Sequence, residues 1–357
     1  MKIRDQTKLR VLVIGAGAVG AYVGASLALC GHPVVFLAKP NSAHKLKQNG
    51  LQLSLKTKKE HLTNLKVCTS IKKAIEIHPY DFAIFSLKSY DTLSALKDLK
   101  PFREALPPFL CLQNGIENED LLAAALGSEK VIAGTVTSSI SKANGSEIIL
   151  ERLRGMGIAG DHPLAPQLCD ALNIAGLNAR YFPNADQMKW SKLLTNLLAN
   201  ATSAILDMSP GEIYDHAGLY KIEAAQIRET LAVMAAKEIH AVNLPRTPVR
   251  AQVFAFQWLP DMLSRRLLRL VLGKGRGAKM PSLHIDLHSG RKRSEVIFLN
   301  GAVVRAGESS GVPTPINAAL TQTLSDLVSG YLPIESFQHN PDKFLAHIYS
   351  HPAKRML

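Results

Sequence analysis

One stretch near the start of the chain leaves few folds open. It runs Val11-Leu-Val-Ile14, then Gly15-Ala-Gly-Ala-Val-Gly20, then continues uncharged to Gly31. Four aliphatic residues in a row read as a parallel strand buried on both faces. The glycines follow G-x-G-x-x-G, and Val19, Val23 and Leu27 continue at helical spacing. Each glycine has its own physical job. Gly15 allows a tight turn, Gly17 lets a pyrophosphate approach the backbone, and Gly20 lets the helix pack close to the strand. Residues Gly15, Ala16, Gly17, Ala18, Val19 and Gly20 would then hold the diphosphate at a helix N-terminus, where free N–H groups and the helix dipole favour an anion. An uncharged run behind Lys8 and Arg10 also fits a signal peptide or membrane anchor. The strand–turn–helix order and a second apolar strand at 33–37 favour the dinucleotide reading.

The end of that second strand discriminates between cofactors. An NAD site places Asp or Glu roughly 20 residues past the glycines, against the ribose hydroxyls. Here the chain reads Leu37-Ala-Lys-Pro-Asn-Ser42, with no acid. Lys39 stands at that position, where a cation suits a 2′-phosphate, so NADPH/NADP+ is expected over NAD(H), with Lys45 and Lys47 adding to the field.

A length of 357 residues suggests two domains. The cysteines, Cys30, Cys68, Cys111 and Cys169, form no C-x-x-C pair, which argues against a disulfide framework or zinc site and suits a cytoplasmic protein. The net charge of +13 admits anionic partners, but no nucleic-acid-binding signature accompanies it. Phosphates and a carboxylate substrate would use part of the excess. No histidine pair has a defensible metal spacing, and no metal is expected.

Further buried strands are expected at 81–88 and 109–115, both ending in polar residues. Ligands bind outside the carboxyl ends of such strands, so Lys88, Gln113 and Asn114 are candidates for the cofactor face. Residues 51–57 and 62–68 alternate as an antiparallel pair would, 131–138 reads as a strand, 140–150 as a hairpin turning at Asn144-Gly145, and 179–182 as an edge strand. After 183 the pattern becomes helical. Residues 186–206 read as one helix with an apolar face of Trp190, Leu193, Leu194, Leu197, Leu198, Ala201 and Ile205. Its other face carries Lys192, Thr195, Asn196, Asn200, Thr202 and Ser203. Lys192, Asn196 and Asn200 share an i, i+4, i+8 stripe, a composition that suits a polar cleft better than a solvated surface.

On these residues the chain resembles the ketopantoate reductase (2-dehydropantoate 2-reductase) family. The carriers are Gly15-Ala-Gly-Ala-Val-Gly20, Ser86-Leu-Lys88, Leu112-Gln-Asn-Gly115, Trp190-Ser-Lys-x-x-x-Asn-x-x-x-Asn200 and Ser294-Glu-Val-Ile-Phe-Leu-Asn-Gly301, in the family's order. The resemblance implies an α/β Rossmann-type dinucleotide-binding domain (1–183) followed by a mostly α-helical C-terminal domain of the 6-phosphogluconate dehydrogenase C-terminal-like type (184–335), a tail (336–357), and an active site between the two. It implies NADPH-dependent reduction of 2-dehydropantoate to pantoate, as in pantothenate biosynthesis, by a monomer or homodimer. Carried over residue by residue, Lys192 is the catalytic proton donor and Glu295 binds the substrate's distal hydroxyl. Asn196, Asn200 and Ser282 bind the substrate, Asn114 places cofactor and substrate, and Lys88 and Lys39 serve the cofactor. Glu295 is expected to open an apolar helix, where an acid also complements the dipole. Gly301, inside that helix, suggests close packing.

The chain departs from the family at Lys279, where an asparagine is usual, and in a longer, basic segment at 244–280. Within that segment Arg265, Arg266, Arg269, Lys274 and Arg276 accompany Phe254, Trp258, Met262 and Leu263. Besides a packed helix with solvated arginines, this fits a lid, a dimer element, or membrane contact through 258–276. Two other functions remain open: reduction of a different 2-oxo acid, and a non-catalytic NADP(H)-binding regulatory protein. Residues 331–357 read as a loose basic tail.

Overall fold

The computed structural model describes residues 8–143, 146–269 and 280–350. The chain divides into two compact units: residues up to Lys189 with Leu244–Thr247, and Trp190–Asn243 with the described residues from Pro248 onward.

The first unit is built on an eight-stranded sheet. Its strands are β1 (Val11–Ile14), β2 (Val34–Leu37), β5 (Lys66–Cys68), β6 (Phe82–Phe85), β7 (Phe109–Cys111), β8 (Val131–Val136), β11 (Met156–Ala159) and β12 (Ala179–Phe182), in the order β12-β11-β8-β7-β6-β1-β2-β5. From β5 to β8 all pairs are parallel; β11 then runs antiparallel to β8. The chain therefore winds outward from β1 in both directions, giving the doubly wound nucleotide-binding order with its switch point between β1 and β6. Alternate residues of β1 serve the two faces. Val11 and Val13 join the core beneath α1 (Ala18–Leu29), and Leu12 and Ile14 join the core beneath α4 (Thr92–Leu99) and α5 (Asn118–Leu126).

A second, four-stranded sheet, β4-β3-β10-β9, comprises β3 (Leu51–Ser54), β4 (Lys59–Leu62), β9 (Ser139–Ala143) and β10 (Glu147–Arg152). It packs on α1 from the side opposite β1 and β2. Helix α1 is thus covered on both sides, and Gly20 through Leu27 are buried. A helix that is apolar all round needs such cover, which explains the uncharged run without a membrane. Among the described residues no helix is long and apolar enough to cross one.

Several expectations need correction. β3 pairs with β4, not with 62–68; residues 66–68 instead form β5, parallel to β2. The alternation signalled strands but could not choose partners. The hairpin arms at β9 and β10 are antiparallel as expected, while their turn at Asn144-Gly145 lies outside the described residues.

The second unit is helical. The expected single helix over 186–206 is two: α7 (Ala185–Leu197) and α8 (Ala201–Leu206). Ala199 between them has φ 48°. The break is compensated by Glu223 of α10 (Ala217–Ala236), a fully buried carboxylate that accepts the Ala199 N–H (2.6 Å) and the Thr202 hydroxyl (2.7 Å). Thr202 and Ser203 are accordingly fully buried, not cleft residues. Glu295 heads a short 3-10 turn, Glu295–Phe298, and the α-helix that follows starts only at Asn300. The close packing expected at Gly301 is present, with Thr321 of Pro315–Ser329 3.3 Å from where a Cβ would stand.

Nor is 336–350 a loose tail. Pro341–Ser350 is a helix that buries Phe344 and Ile348, one turn apart, with Phe337 buried before it. In the basic segment, α11 (Val249–Trp258) and α12 (Asp261–Leu268) are described, and 270–279, with Lys274, Arg276 and Lys279, lies outside. Phe254, Trp258, Met262, Leu263 and Leu267 are exposed there, while Arg269 pairs with Asp215 at 2.7 Å.

Candidate functional site

The first group of candidates gathers at the carboxyl ends of β1, β2, β6 and β7. Gly15 turns at φ 101°. Its carbonyl accepts the Ser86 hydroxyl at 2.9 Å, which ties the glycine loop to the loop after β6. A Cβ on Gly20 would stand 2.2 Å from both the Gly15 oxygen and Ser86 Oγ. Only glycine fits, because α1 starts directly against the loop. Gly17 differs. It caps α1 with ordinary φ −74°, and a Cβ there would meet no protein atom within 4 Å. Neither strain nor protein packing demands glycine, so the open space at Gly17 is the feature that fits a closely approaching diphosphate.

Lys88 follows β6 and Asn114 follows β7, and their loops are stitched together. Ser89 Oγ donates to the Asn114 carbonyl at 3.0 Å, and Gln113 Nε2 to the Leu87 carbonyl at 3.0 Å. Gln113 is 3% exposed and its amide also donates to Thr92, so it braces the loop from within and does not face the cofactor side as expected. Lys39 sits at the end of β2, 77% exposed, with Nζ 3.5 Å from Asp91.

Two lysines in this unit escaped the sequence reading. Lys142 on β9 donates to the Ala16 carbonyl at 3.0 Å, placing a cation on the glycine loop. Burial, then the neighbouring Lys45, lowers its pKa below the ordinary lysine value. Only the fold brings β9 over α1, so no local signal marked it. Lys189 is buried and reaches the carbonyls of Gln113 (2.9 Å) and Gly134 (3.3 Å), with Glu119 at 2.6 Å. Burial pulls the Lys189 pKa down, but the Glu119 carboxylate outweighs it and leaves it raised. Lys189 and Glu119 thus form an ion pair that is largely shielded from solvent.

The second group lies in the helical unit. Lys192 and Asn196 are half-buried and one turn apart on α7. Asn200 falls in the break before α8, and its amide is fully engaged. Nδ2 donates to the Asn196 carbonyl at 2.8 Å and lies 3.5 Å from Ser282 Oγ, while Oδ1 accepts the Leu283 N–H at 3.0 Å. Asn200 thus fixes the start of the Ser282–His288 helix. Glu295 is 3% exposed and enters on a separate element, capped by Ser294, whose hydroxyl accepts the Val296 N–H at 3.1 Å. At the other end of that motif, Asn300 donates to Gln226 (2.9 Å) and Asn317 (3.0 Å), a structural role inside the helical core. The structure therefore joins Asn196, Asn200 and Ser282 in one hydrogen-bonded group and places Lys192 one turn before it.

Two models of one family cover most of the chain. The description "Ketopantoate reductase PanE/ApbA" matches residues 11–159, and its C-terminal counterpart matches 184–328. The chain belongs to the ketopantoate reductase family. This makes it an oxidoreductase acting on CH–OH groups. It is 27% identical over 318 residues to the 2-dehydropantoate 2-reductase of Pyrococcus horikoshii, covering 87% of this chain and 95% of that protein. It is 28% identical over 331 residues to the Archaeoglobus fulgidus protein of the same name, covering 90% and 98%. The crystal structure of a PanE/ApbA family ketopantoate reductase from Ralstonia eutropha matches with a TM-score of 0.76 at 26% identity, covering 90% of this chain and 99% of that one. Ketopantoate reductases use NADPH.

Proposed function

We propose that this chain reduces ketopantoate to pantoate with NADPH, using Lys192 as proton donor. The observation that carries the reading is the match of both halves of the chain to one reductase family, joined to a glycine loop with open space only at Gly17. NADPH supplies the hydride to the 2-oxo carbon when bound. The oxygen of that carbonyl gains negative charge, and a cationic acid beside it lowers the barrier. Lys192 holds that proton, and its transfer leaves the 2-hydroxy acid and a neutral amine that is reprotonated from solvent.

The remaining roles follow from the residues' surroundings. Gly15 to Gly20 and the start of α1 hold the diphosphate. Lys39 faces the 2′-phosphate, which selects NADPH over NADH, and Lys142 adds a second cation at the loop. Lys88 and Asn114 line the cofactor end. Asn196 and Ser282 bind the substrate's polar groups, and Glu295 takes the distal hydroxyl. Asn200, its amide already engaged, acts as a positioning residue for Ser282.

The test is Lys192→Ala. Loss of a general acid lowers kcat by roughly a hundred- to ten-thousandfold, while NADPH binding, read by fluorescence titration, stays as in the parent. An unchanged kcat removes Lys192 from the chemistry. Binding of NADPH by the parent with no turnover on any 2-oxo acid supports the regulatory alternative instead.

A further inference from the structure

The helical unit carries a cluster of side chains that the reductase chemistry does not use. Asp207 follows α8, His284 and His288 lie one turn apart on the Ser282–His288 helix, and His339 lies in the turn before Pro341–Ser350. Each imidazole lies near the Asp207 carboxylate. His284 Nε2 is 2.6 Å from Asp207 Oδ1, His288 Nε2 is 3.8 Å from the same oxygen, and His339 Nε2 is 3.8 Å from Asp207 Oδ2. One ligand atom from each of Asp207, His284 and His288 lies within 4.8 Å of the others. The two helical imidazoles stack at 4.1 Å with an interplanar angle of 24°.

We propose that Asp207, His284, His288 and His339 bind one divalent transition-metal ion, with the chemistry of Zn2+, as a structural site. Four nitrogen and oxygen donors about 2.0–2.2 Å from a tetrahedral zinc are about 3.3 Å from one another. Asp207, His284 and His288 already bring ligand atoms within 4.8 Å of one another, and His339, 3.8 Å from the other Asp207 oxygen, reaches the ion by a side-chain movement. His288 Nε2 also lies 3.3 Å from the Ala204 carbonyl, a contact the ion displaces.

Asp207 has φ 51° and His339 φ 50°, so both stand in the left-handed region. Here the His339 N–H donates to the Leu206 carbonyl at 2.8 Å, which locks the two segments side by side. Access is open on one side: the His339 side chain is 65% exposed and that of Asp207 32%. Three imidazoles and one carboxylate select zinc, cobalt, nickel or copper over magnesium and calcium, which prefer all-oxygen sites. With four protein ligands no position is left for a reacting water, so the ion joins the end of α8, the Ser282–His288 helix and the turn at His339.

The experiment uses the full chain stripped with EDTA. Equilibrium dialysis against ZnCl2, with metal counted by mass spectrometry, is run beside MgCl2. Co2+ is added as a spectroscopic probe, because tetrahedral cobalt absorbs strongly in the visible. The expected result is one zinc per chain, a raised unfolding temperature with zinc but not magnesium, and tetrahedral Co2+ bands. Zinc affinity falls about tenfold or more in His284→Ala/His288→Ala and in Asp207→Asn. Asn tolerates the left-handed backbone, so Asp207→Asn tests the site without a folding defect; circular dichroism verifies this. No saturable zinc, equal zinc binding by parent and variants, or equal affinity for magnesium overturns the proposal.

Discussion

Replacing Lys189 with Met leaves the Glu119 carboxylate buried without its counter-charge and takes a donor from the Gln113 and Gly134 carbonyls. The Lys189 side chain is 6% exposed and that of Glu119 15%, so solvent screens the pair little. Breaking one partner of a buried pair costs about 3–5 kcal/mol, mostly the cost of the stranded charge. For a unit of this size that is a fall in unfolding temperature of about 6–20 °C. Removing both charges, in Lys189→Met/Glu119→Leu, strands nothing, and apolar replacements of a buried pair are often near neutral. The double variant is therefore expected to recover most of the loss. The sign with pH follows from the raised Lys189 pKa: its contribution is complete below the ordinary lysine value of 10.5 and is lost as pH rises through the higher folded value. Thermal and urea unfolding by circular dichroism at pH 7 reads the full effect. A single variant within about 1 kcal/mol of the parent, the range of exposed pairs, refutes the reasoning.

The two motif glycines are expected to separate. Gly17→Ala leaves the unfolding temperature unchanged but raises the Kd for NADPH by roughly tenfold, about 1.4 kcal/mol; Gly20→Ala, with its methyl against Gly15 and Ser86, loses about 1–3 kcal/mol of stability as well. Equal stabilities for the two contradict the packing account. Lys39→Ala is expected to weaken NADPH by about tenfold and leave NADH unchanged, as loss of a charge-assisted hydrogen bond to the 2′-phosphate would; Lys142→Ala is expected to weaken both, because it sits on the loop that holds the shared diphosphate. Titration calorimetry with the two cofactors distinguishes them. Asp81, hydrogen-bonded to Arg10 and so held below the ordinary carboxylate value of 3.8, stabilises the first unit above that pH and loses its effect as pH falls toward the folded value. The stability gap between the parent and Asp81→Asn is therefore expected to shrink below about pH 4 in acid unfolding curves.

What the sequence disclosed and what it withheld divide along physical lines. The β1–glycine loop–α1 unit was legible because its signals are local: an aliphatic run, spaced glycines, an apolar helix. The same holds for the strands that lead into Lys88 and Asn114. The break between α7 and α8 was not legible, because Ala199 has no turn signature and the group that compensates it, Glu223, sits on α10. Asn200 looked like a third residue on a continuous stripe, yet the break turns its amide onto the Ser282–His288 helix. β3 found β4 because partner choice is a tertiary matter. Lys142, Lys189 and the Asp207 cluster are juxtapositions of distant segments. Among the four cluster residues only His284 and His288 are close enough in sequence to have shown a helical ligand spacing. The C-terminal helix was hidden by its prolines and histidines, although Phe344 and Ile348 carry the i, i+4 signal.

The most direct measurement is steady-state NADPH oxidation by the purified chain. It compares ketopantoate with 2-oxo acids that lack the distal hydroxyl, each run with NADPH and NADH. A site built to hydrogen-bond that hydroxyl rejects analogues without it. The account expects kcat/KM for ketopantoate with NADPH to exceed every other pairing by at least about tenfold, and the preference over unhydroxylated acids to vanish in Glu295→Gln. Equal turnover of unhydroxylated 2-oxo acids, or equal use of NADH, would contradict it.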